Sequence, residues 1–500
     1  MRYIASREEM QRIDAYSIQE IGIPGMVLME KAAMSMEEEI ISRFDNNTSF
    51  LIVTEKGNNG GDGLALGRLL MGKGYQVRIY EIGGVSGASE SYMAQRKILD
   101  HLGIPVEDHL PEEEFDVIID AVFGVGLTRE VAGIQKEVLE ELNRRDSFRI
   151  AVDLPSGVDA GTGQILGMAF MADLTITFGL EKLGLLLYPG AACCGEVAVK
   201  DIGFPQKAVE KISPAVYTFE PSDLERIPAR KPWSNKGTYG KVLMVAGTKN
   251  MAGAACLAGE AAYRSGSGLI RLFSCEENRV ILQNLLPEAI LTTYRDEEDA
   301  LSGLREAISW ASVIGFGPGL GTGPLTERML GILLSEGNVP LVIDADGINV
   351  LARLRAEKSP IWEEFMNYEH GIILTPHLME MSRLCGKPVE EIQGSLIDTA
   401  GNLSDKGHVV VLKDVRTIVS DGSATSYLNT SGNHGMSVGG SGDVLTGLIC
   451  GLLAGGADLA EAARLGVYCH GLAGDHAAEK TGYHALLARD IIAGISEVLP

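Results

Sequence analysis

The chain has no CxxC pair and no Cys/His spacing of a metal module. Its seven cysteines (193, 194, 256, 275, 385, 450 and 469) are scattered over 500 residues. An odd, dispersed set argues against a disulfide framework, and reduced thiols in a cytoplasmic protein are expected. No apolar run reaches the roughly 18 residues of a membrane span. The opening Met1-Arg2-Tyr3-Ile4-Ala5-Ser6-Arg7-Glu8-Glu9 lacks a signal-peptide core. Positive charge is scarce too, with 43 Lys plus Arg against 67 Asp plus Glu. Duplex nucleic acid and anionic membrane both need a basic face, so neither is an expected partner. A small anion remains admissible, because a nest of backbone N–H groups works beneath an acidic surface.

Glycine is abundant, at 61 residues, and gathers at strand-to-helix turns. Short apolar or β-branched runs at Phe50–Val53, Gln76–Tyr80, Phe115–Asp120, Phe148–Asp153 and Leu174–Phe178 alternate with helical-period segments Leu64–Gly72, Glu90–Leu102 and Ile134–Leu142. This predicts βαβ units on a mostly parallel sheet, preceded by amphipathic segments Arg7–Glu20 and Met26–Ile41. Residues 216–237, with Pro221, Pro228 and Pro232 among polar neighbours, read as a linker. The pattern then restarts at Lys241–Ala246, Leu269–Phe273, Val313–Phe316, Leu341–Asp344, Gly371–Leu374 and Val409–Leu412, with Ala252–Arg264 among the helices. Two α/β domains are predicted.

In the first half, Gly57-Asn58-Asn59-Gly60-Gly61-Asp62-Gly63 follows a strand and reads as a polar loop whose glycines permit positive φ. It is neither GxGxxG nor a Walker loop. Asp120 ends a second strand, before Ala121-Val122-Phe123-Gly124-Val125-Gly126-Leu127-Thr128-Arg129, and Asp153 ends a third, before Leu154-Pro155-Ser156-Gly157. Each alone reads as a cap; together they make a crevice. The oxygens of Asn59, Asp120 and Ser156 could hold a hard cation, and Asp153 could serve as a proton shuttle.

In the second half, Gly439-Gly440-Ser441-Gly442-Asp443 runs into the apolar Val444-Leu445-Thr446-Gly447-Leu448-Ile449-Cys450. A helix starting there offers unpaired N–H groups to a phosphate, with the Asp443 carboxylate beside it. That is equipment for phosphoryl transfer. The plain structural alternative is an N-cap by Ser441, with Asp443 complementing the helix dipole. Other turns on the same sheet edge are Lys236-Gly237-Thr238-Tyr239-Gly240, Gly317-Pro318-Gly319-Leu320-Gly321, Asp344-Ala345-Asp346-Gly347-Ile348-Asn349, Thr375-Pro376-His377-Leu378-Met379-Glu380 and Leu412-Lys413-Asp414. His470–His476 lacks i,i+4 ligand spacing and reads as a helix end.

LMEKAA, GNNGGDG, DAVFGVGLTREVAG, VDLPSGVDAGTG and DLTITFGLEKLG together resemble the NAD(P)H-hydrate epimerase domain. The resemblance implies a Rossmann-like αβα domain over 1–218. Dinucleotide contacts would come from Asn58, Asn59, Gly60, Gly61, Asp62, Gly124, Val125, Gly126, Leu127, Thr128, Arg129, Glu130 and Asp153. It further implies K⁺ on Asn59, Asp120 and Ser156, and Asp153 as the acid/base at C6 of the nicotinamide. KGTYG, SGSGLIRL, GPGLG, VIDADGIN, TPHLMEMSRL, VVLKD and GMSVGGSGDVLTG resemble the ribokinase-like, ADP-dependent NAD(P)H-hydrate dehydratase domain, over 226–500. Here the resemblance implies hydrated dinucleotide on Ala254, Gly319, His377 and Asp443. It places ADP on Lys413, Asp414, Val415, Arg416, Thr417 and Gly442, with Mg²⁺ on the phosphates, Asp443 as base, and a homo-oligomeric assembly. The chain departs from the family at Lys31 (usually asparagine), Glu55 (glycine), Asn235 (histidine) and Asp414 (glycine). The competing expectation is a ribokinase-like kinase of a vitamin precursor, carrying a non-catalytic dinucleotide-sensing first domain.

Overall fold

The computed structural model describes residues 1–404 and 407–499. Two compact units emerge, Tyr3–Val216 and Tyr217–Pro500 with Met1–Arg2. Residues 216–237 are not the irregular linker expected. Val216–Thr218 form a strand, and Pro221–Arg226 and Lys236–Tyr239 are 3-10 turns. Burial explains the difference, since Tyr217 and Phe219 pack their rings on Tyr427.

In the first unit six parallel strands lie in the order Gln76–Glu81, Ser49–Thr54, Val117–Ala121, Phe148–Val152, Leu174–Phe178, Glu196–Lys200. Ser49–Thr54 has the chain-later strands on both sides, so its carboxyl end is a topological switch point, where a crevice opens. Its side chains alternate between two cores. Phe50 and Ile52 pack with Met36, Leu66 and Leu70, while Leu51 and Val53 pack with Leu139, Leu142 and Phe170. Helices thus cover both faces, the three-layer αβα arrangement expected, and the strands read as continuous apolar runs because neither face meets water.

The Gly57–Gly63 segment corrects one expectation. It is the start of the helix Asn58–Gly72, not a loop, and none of its glycines has positive φ. They serve close approach instead. A Cβ on Gly60 would lie 1.7 Å from the Glu55 carbonyl oxygen, and one on Gly63 2.6 Å from Ala121 Cβ.

The second unit has strands in the order Ile290–Tyr294, Leu269–Cys275, Lys241–Val245, Val313–Phe316, Leu341–Ile343, Ile372–Leu374, Val409–Leu412, all parallel. Ile418–Ser420 and Ser426–Leu428 continue it antiparallel. Helices Ala252–Arg264, Ser441–Ala454, Leu459–Thr481 and Ala488–Val498 pack as one set. Glu297–Trp310, Pro324–Glu336, Asp346–Ala356 and Leu378–Cys385 form another. His470–His476, expected at a helix end, lies inside Leu459–Thr481, because the apolar period of that helix continues through Ala473, Ala477 and Ala478. Among the described residues no helix is long and apolar enough to cross a membrane.

Candidate active sites

A cavity of about 520 Å³ opens at the switch point of the first unit. Asn58, Asn59, Asp62, the run Gly124–Arg129 and Asp153 line it. Gly60 and Gly61 sit buried behind them, and Glu130 is exposed and not part of the lining. Asp153 stands just past its strand at φ 67, a conformation unusual outside glycine. Its Oδ1 accepts from Lys182 Nζ at 2.5 Å, Thr177 Oγ1 at 3.1 Å and the Phe178 amide at 3.2 Å. Lys182 is 1% exposed and its strand residue pairs with Ala5, so the ammonium is fixed to Asp153. Two further carboxylates face the same space. Burial, then the charge of Asp153, raises both Asp62 and Asp14, Asp62 well above the ordinary carboxylate range.

Asp120 and Ser156 meet beside this cavity, where Ser156 Oγ also accepts from the amide of the lining residue Phe123. The buried Asp120 carboxylate accepts from Ser156 N at 2.7 Å, Ser156 Oγ at 2.6 Å and Val122 N at 3.1 Å. Burial nevertheless pushes it up to about 6. Asn59 lies against Gly124, the residue after Phe123, whose missing Cβ would sit 2.8 Å from Asn59 Oδ1. The Asn59 Nδ2 is buried without a hydrogen-bond partner.

In the second unit, Gly440 turns at φ 91 and caps Ser441–Ala454 with no side-chain bond. Ser441 is therefore the first helical residue and not the cap; its hydroxyl lies 3.5 Å from His470 Nε2. The Ser441 amide donates to the Val438 carbonyl at 3.3 Å, and with no side-chain cap the next first-turn amides are left for a ligand. Asp443 stands in that turn, largely buried and without an ion pair to any described residue. Burial, then the charge of Asp344, with Lys413 opposing and Asp346 adding, pushes its carboxyl up to about 7. That is a useful value for a proton acceptor near neutral pH. Below it, Lys413 Nζ donates to Asp344 Oδ1 at 2.9 Å, and a Cβ on Gly442 would be 3.4 Å from that ammonium.

The other expected residues fall around this floor. Lys413 pairs by bridge with His377, whose Nδ1 accepts the amides of Met379 and Glu380. Gly319, at φ 62, packs on Ala254, where an added Cβ would be 3.0 Å from the alanine Cβ. Arg416 donates to the Thr430 carbonyl at 2.9 Å, Thr417 accepts from the Asn429 amide at 2.9 Å, and Val415 is exposed. Burial raises the Asp414 carboxyl.

Residues 242–497 match the family model described as NAD(P)H-hydrate dehydratase, and 25–184 match that of the YjeF-related protein N-terminus. The bifunctional NAD(P)H-hydrate repair enzyme of Thermofilum pendens is 37% identical, covering 97% of this chain and 93% of the relative. That of Moorella thermoacetica is 34% identical, covering 99% and 96%. The chain belongs to the bifunctional NAD(P)H-hydrate repair enzyme family. A solved ribokinase-like superfamily protein from Enterococcus faecalis is 29% identical with a TM-score of 0.51, covering 57% of this chain and 95% of its own. The second domain is ribokinase-like, as expected.

Of the family departures, Glu55 lines the first cavity, is buried, and takes a 3.4 Å bond from Gln135 Nε2. Sequence reasoning missed Asp14 and Lys182, and it gave no individual role to Thr446 or to Asp344 and Glu380, although it placed the last two in turns on the sheet edge. Asp344 carried a visible signal in Asp344-Ala345-Asp346. Lys182 carried none.

Proposed function

We infer that this chain repairs hydrated NADH and NADPH. Residues 1–218 epimerise the R and S hydrates, and 226–500 dehydrate the S form with ADP, giving AMP and phosphate. The observation that carries the dehydratase reading is the helix start without a side-chain cap and with Asp443 in its first turn. The C6 hydroxyl of the hydrated ring is a poor leaving group. Asp443 accepts its proton as that oxygen attacks the terminal phosphoryl of ADP, and the amides at Gly442 and its neighbours take up the charge. AMP leaves. The C6–O bond then breaks with loss of phosphate, a proton departs from C5, and the C5=C6 double bond returns.

Lys413, Asp414, Val415, Arg416, Thr417 and Gly442 would hold the nucleotide; Ala254, Gly319 and His377 would hold the hydrated dinucleotide. Magnesium would supply positive charge to the nucleotide phosphates when the nucleotide is bound. In the first domain a potassium ion fits Asn59, Asp120 and Ser156. A buried carboxylate raised by desolvation gains from a monovalent cation, and the unpartnered Asn59 amide supplies an oxygen after a flip. When bound, potassium would supply positive charge beside the dinucleotide. Asp153, held by Lys182, acts as acid/base at C6.

An equilibrated R/S hydrate mixture with excess ADP and magnesium tests both activities together. Complete return of reduced-nicotinamide absorbance is expected. Recovery that stops at the S fraction would remove the epimerase reading, and no recovery would remove the dehydratase one.

A further inference from the structure

Asp344 touches no expected ligand, yet three elements end on it. It follows the strand Leu341–Ile343 and is 1% exposed. Oδ1 accepts from Lys413 Nζ at 2.9 Å and Thr375 Oγ1 at 2.7 Å, and Oδ2 accepts from Thr446 Oγ1 at 2.8 Å. Thr446 lies one helical turn beyond Asp443, so that bond ties the anion-binding helix to the strand ends. Gly442 seats the helix on the pair, its missing Cβ 3.4 Å from Lys413 Nζ and 3.7 Å from Asp344 Oδ2. A buried carboxylate is costly unless its bonds are satisfied, and here cation and hydroxyls converge on it.

We propose that Asp344 is a positioning residue of the dehydratase reaction. It clamps Lys413 and the start of Ser441–Ala454 together, so that ammonium, helix amides and the Asp443 carboxyl face one phosphoryl group. The proposal rests on the phosphoryl-transfer reading above and adds an electrostatic role. The charged groups acting on Asp443 are Asp344 from one strand end, Lys413 from another and Asp346 from the following helix. Lys413 also feels Glu380. Burial opposes ionisation of Asp344, but Lys413, Thr375 and Thr446 outweigh it and hold its carboxyl below the ordinary range. Asp344 thus stays anionic while Asp443 takes up the proton, which sorts two close carboxylates into anchor and base.

The test compares Asp344→Asn, Asp344→Glu and Thr446→Val in the full-length protein, measuring ADP-dependent dehydration and hydrate epimerisation. Asp344→Asn is expected to lower kcat for dehydration about 30-fold or more, the scale of a lost charge-assisted hydrogen bond, with KM for the hydrate nearly unchanged. It should also move the acid limb of the kcat profile to lower pH, because a negative neighbour of Asp443 is gone. Asp344→Glu keeps the charge but misplaces it, so kcat falls and the limb stays. Thr446→Val loses about tenfold in kcat with the limb unmoved. Epimerisation continues in all three. Wild-type kcat and an unmoved limb in Asp344→Asn would overturn the proposal. So would parallel loss of both activities with a lowered Tm in Asp344→Asn and Thr446→Val, the sign of a general structural role. An inactive wild-type protein would instead overturn the dehydratase reading itself.

Discussion

Asp443→Asn separates catalysis from stability in opposite directions. In the folded protein this carboxyl sits at about 7 against an ordinary 3.8, with burial the largest cause. In the proposed role of base it would work ionised, so kcat should fall about tenfold per pH unit below 7 and level off above about 8. Asparagine cannot accept the proton, and the expected loss is about two orders of magnitude or more at pH 8. Stability moves the other way. A raised carboxyl means the folded state binds more protons than the unfolded between about pH 4 and 7, so the ionised group costs stability as pH rises through that window. A shift of about three units sets an upper bound near 4 kcal/mol, and partial solvent contact reduces this to about 2 kcal/mol. Neutral asparagine avoids that cost, so Tm of the ligand-free protein at pH 8 should rise by several degrees. At pH 4 the gain should vanish. The assays are absorbance recovery from hydrated NADH with ADP, and thermal melts at the two pH values. Full activity in the variant, or a lowered Tm at pH 8, would refute the reasoning.

Asp153→Asn leaves Lys182 charged and buried, so it should destabilise the first domain by about 3 kcal/mol or more and abolish epimerisation; adding Lys182→Met should recover stability but not activity, as read by melting and R-hydrate conversion. Glu55→Gly removes a carboxylate from the cavity and should lower the epimerase KM for hydrated NADPH about threefold to tenfold at low ionic strength. Asp120→Ala should abolish any rise of Tm with added potassium, measured against sodium in the wild type. Gly317→Ala should eliminate dehydratase activity, since Gly317 has φ 125 and the new Cβ would fall 1.9 Å from the Asp344 carbonyl oxygen.

Strand and helix alternation was legible because the six-stranded sheet is parallel, the second is mostly so, and their central strands are buried on two faces, which makes strands such as Val117–Ala121 and Val409–Leu412 buried throughout. Strands Glu196–Lys200 and Ile290–Tyr294 were missed. Both lie at sheet edges, where partial exposure admits polar residues and blurs the pattern. The proposed anion cradle was readable because one short stretch supplies Gly440, Gly442 and Asp443. Its anchor was not, since Asp344 and Lys413 stand 69 positions apart and only the folded register joins them. Lys182 was invisible likewise, 29 positions from Asp153 and brought inward through pairing with the amino-terminal strand. Glycines 60, 61 and 63 were recognised as important for the wrong reason, because close packing and positive φ both select glycine and sequence does not distinguish them.

The most direct measurement follows AMP, phosphate and reduced nicotinamide together after mixing enzyme with S-hydrate, ADP and magnesium. One AMP and one phosphate for each ring recovered, all lost in Asp443→Asn, is the predicted result. A stable phosphorylated product accumulating without ring recovery, or recovery without ADP consumption, would contradict it.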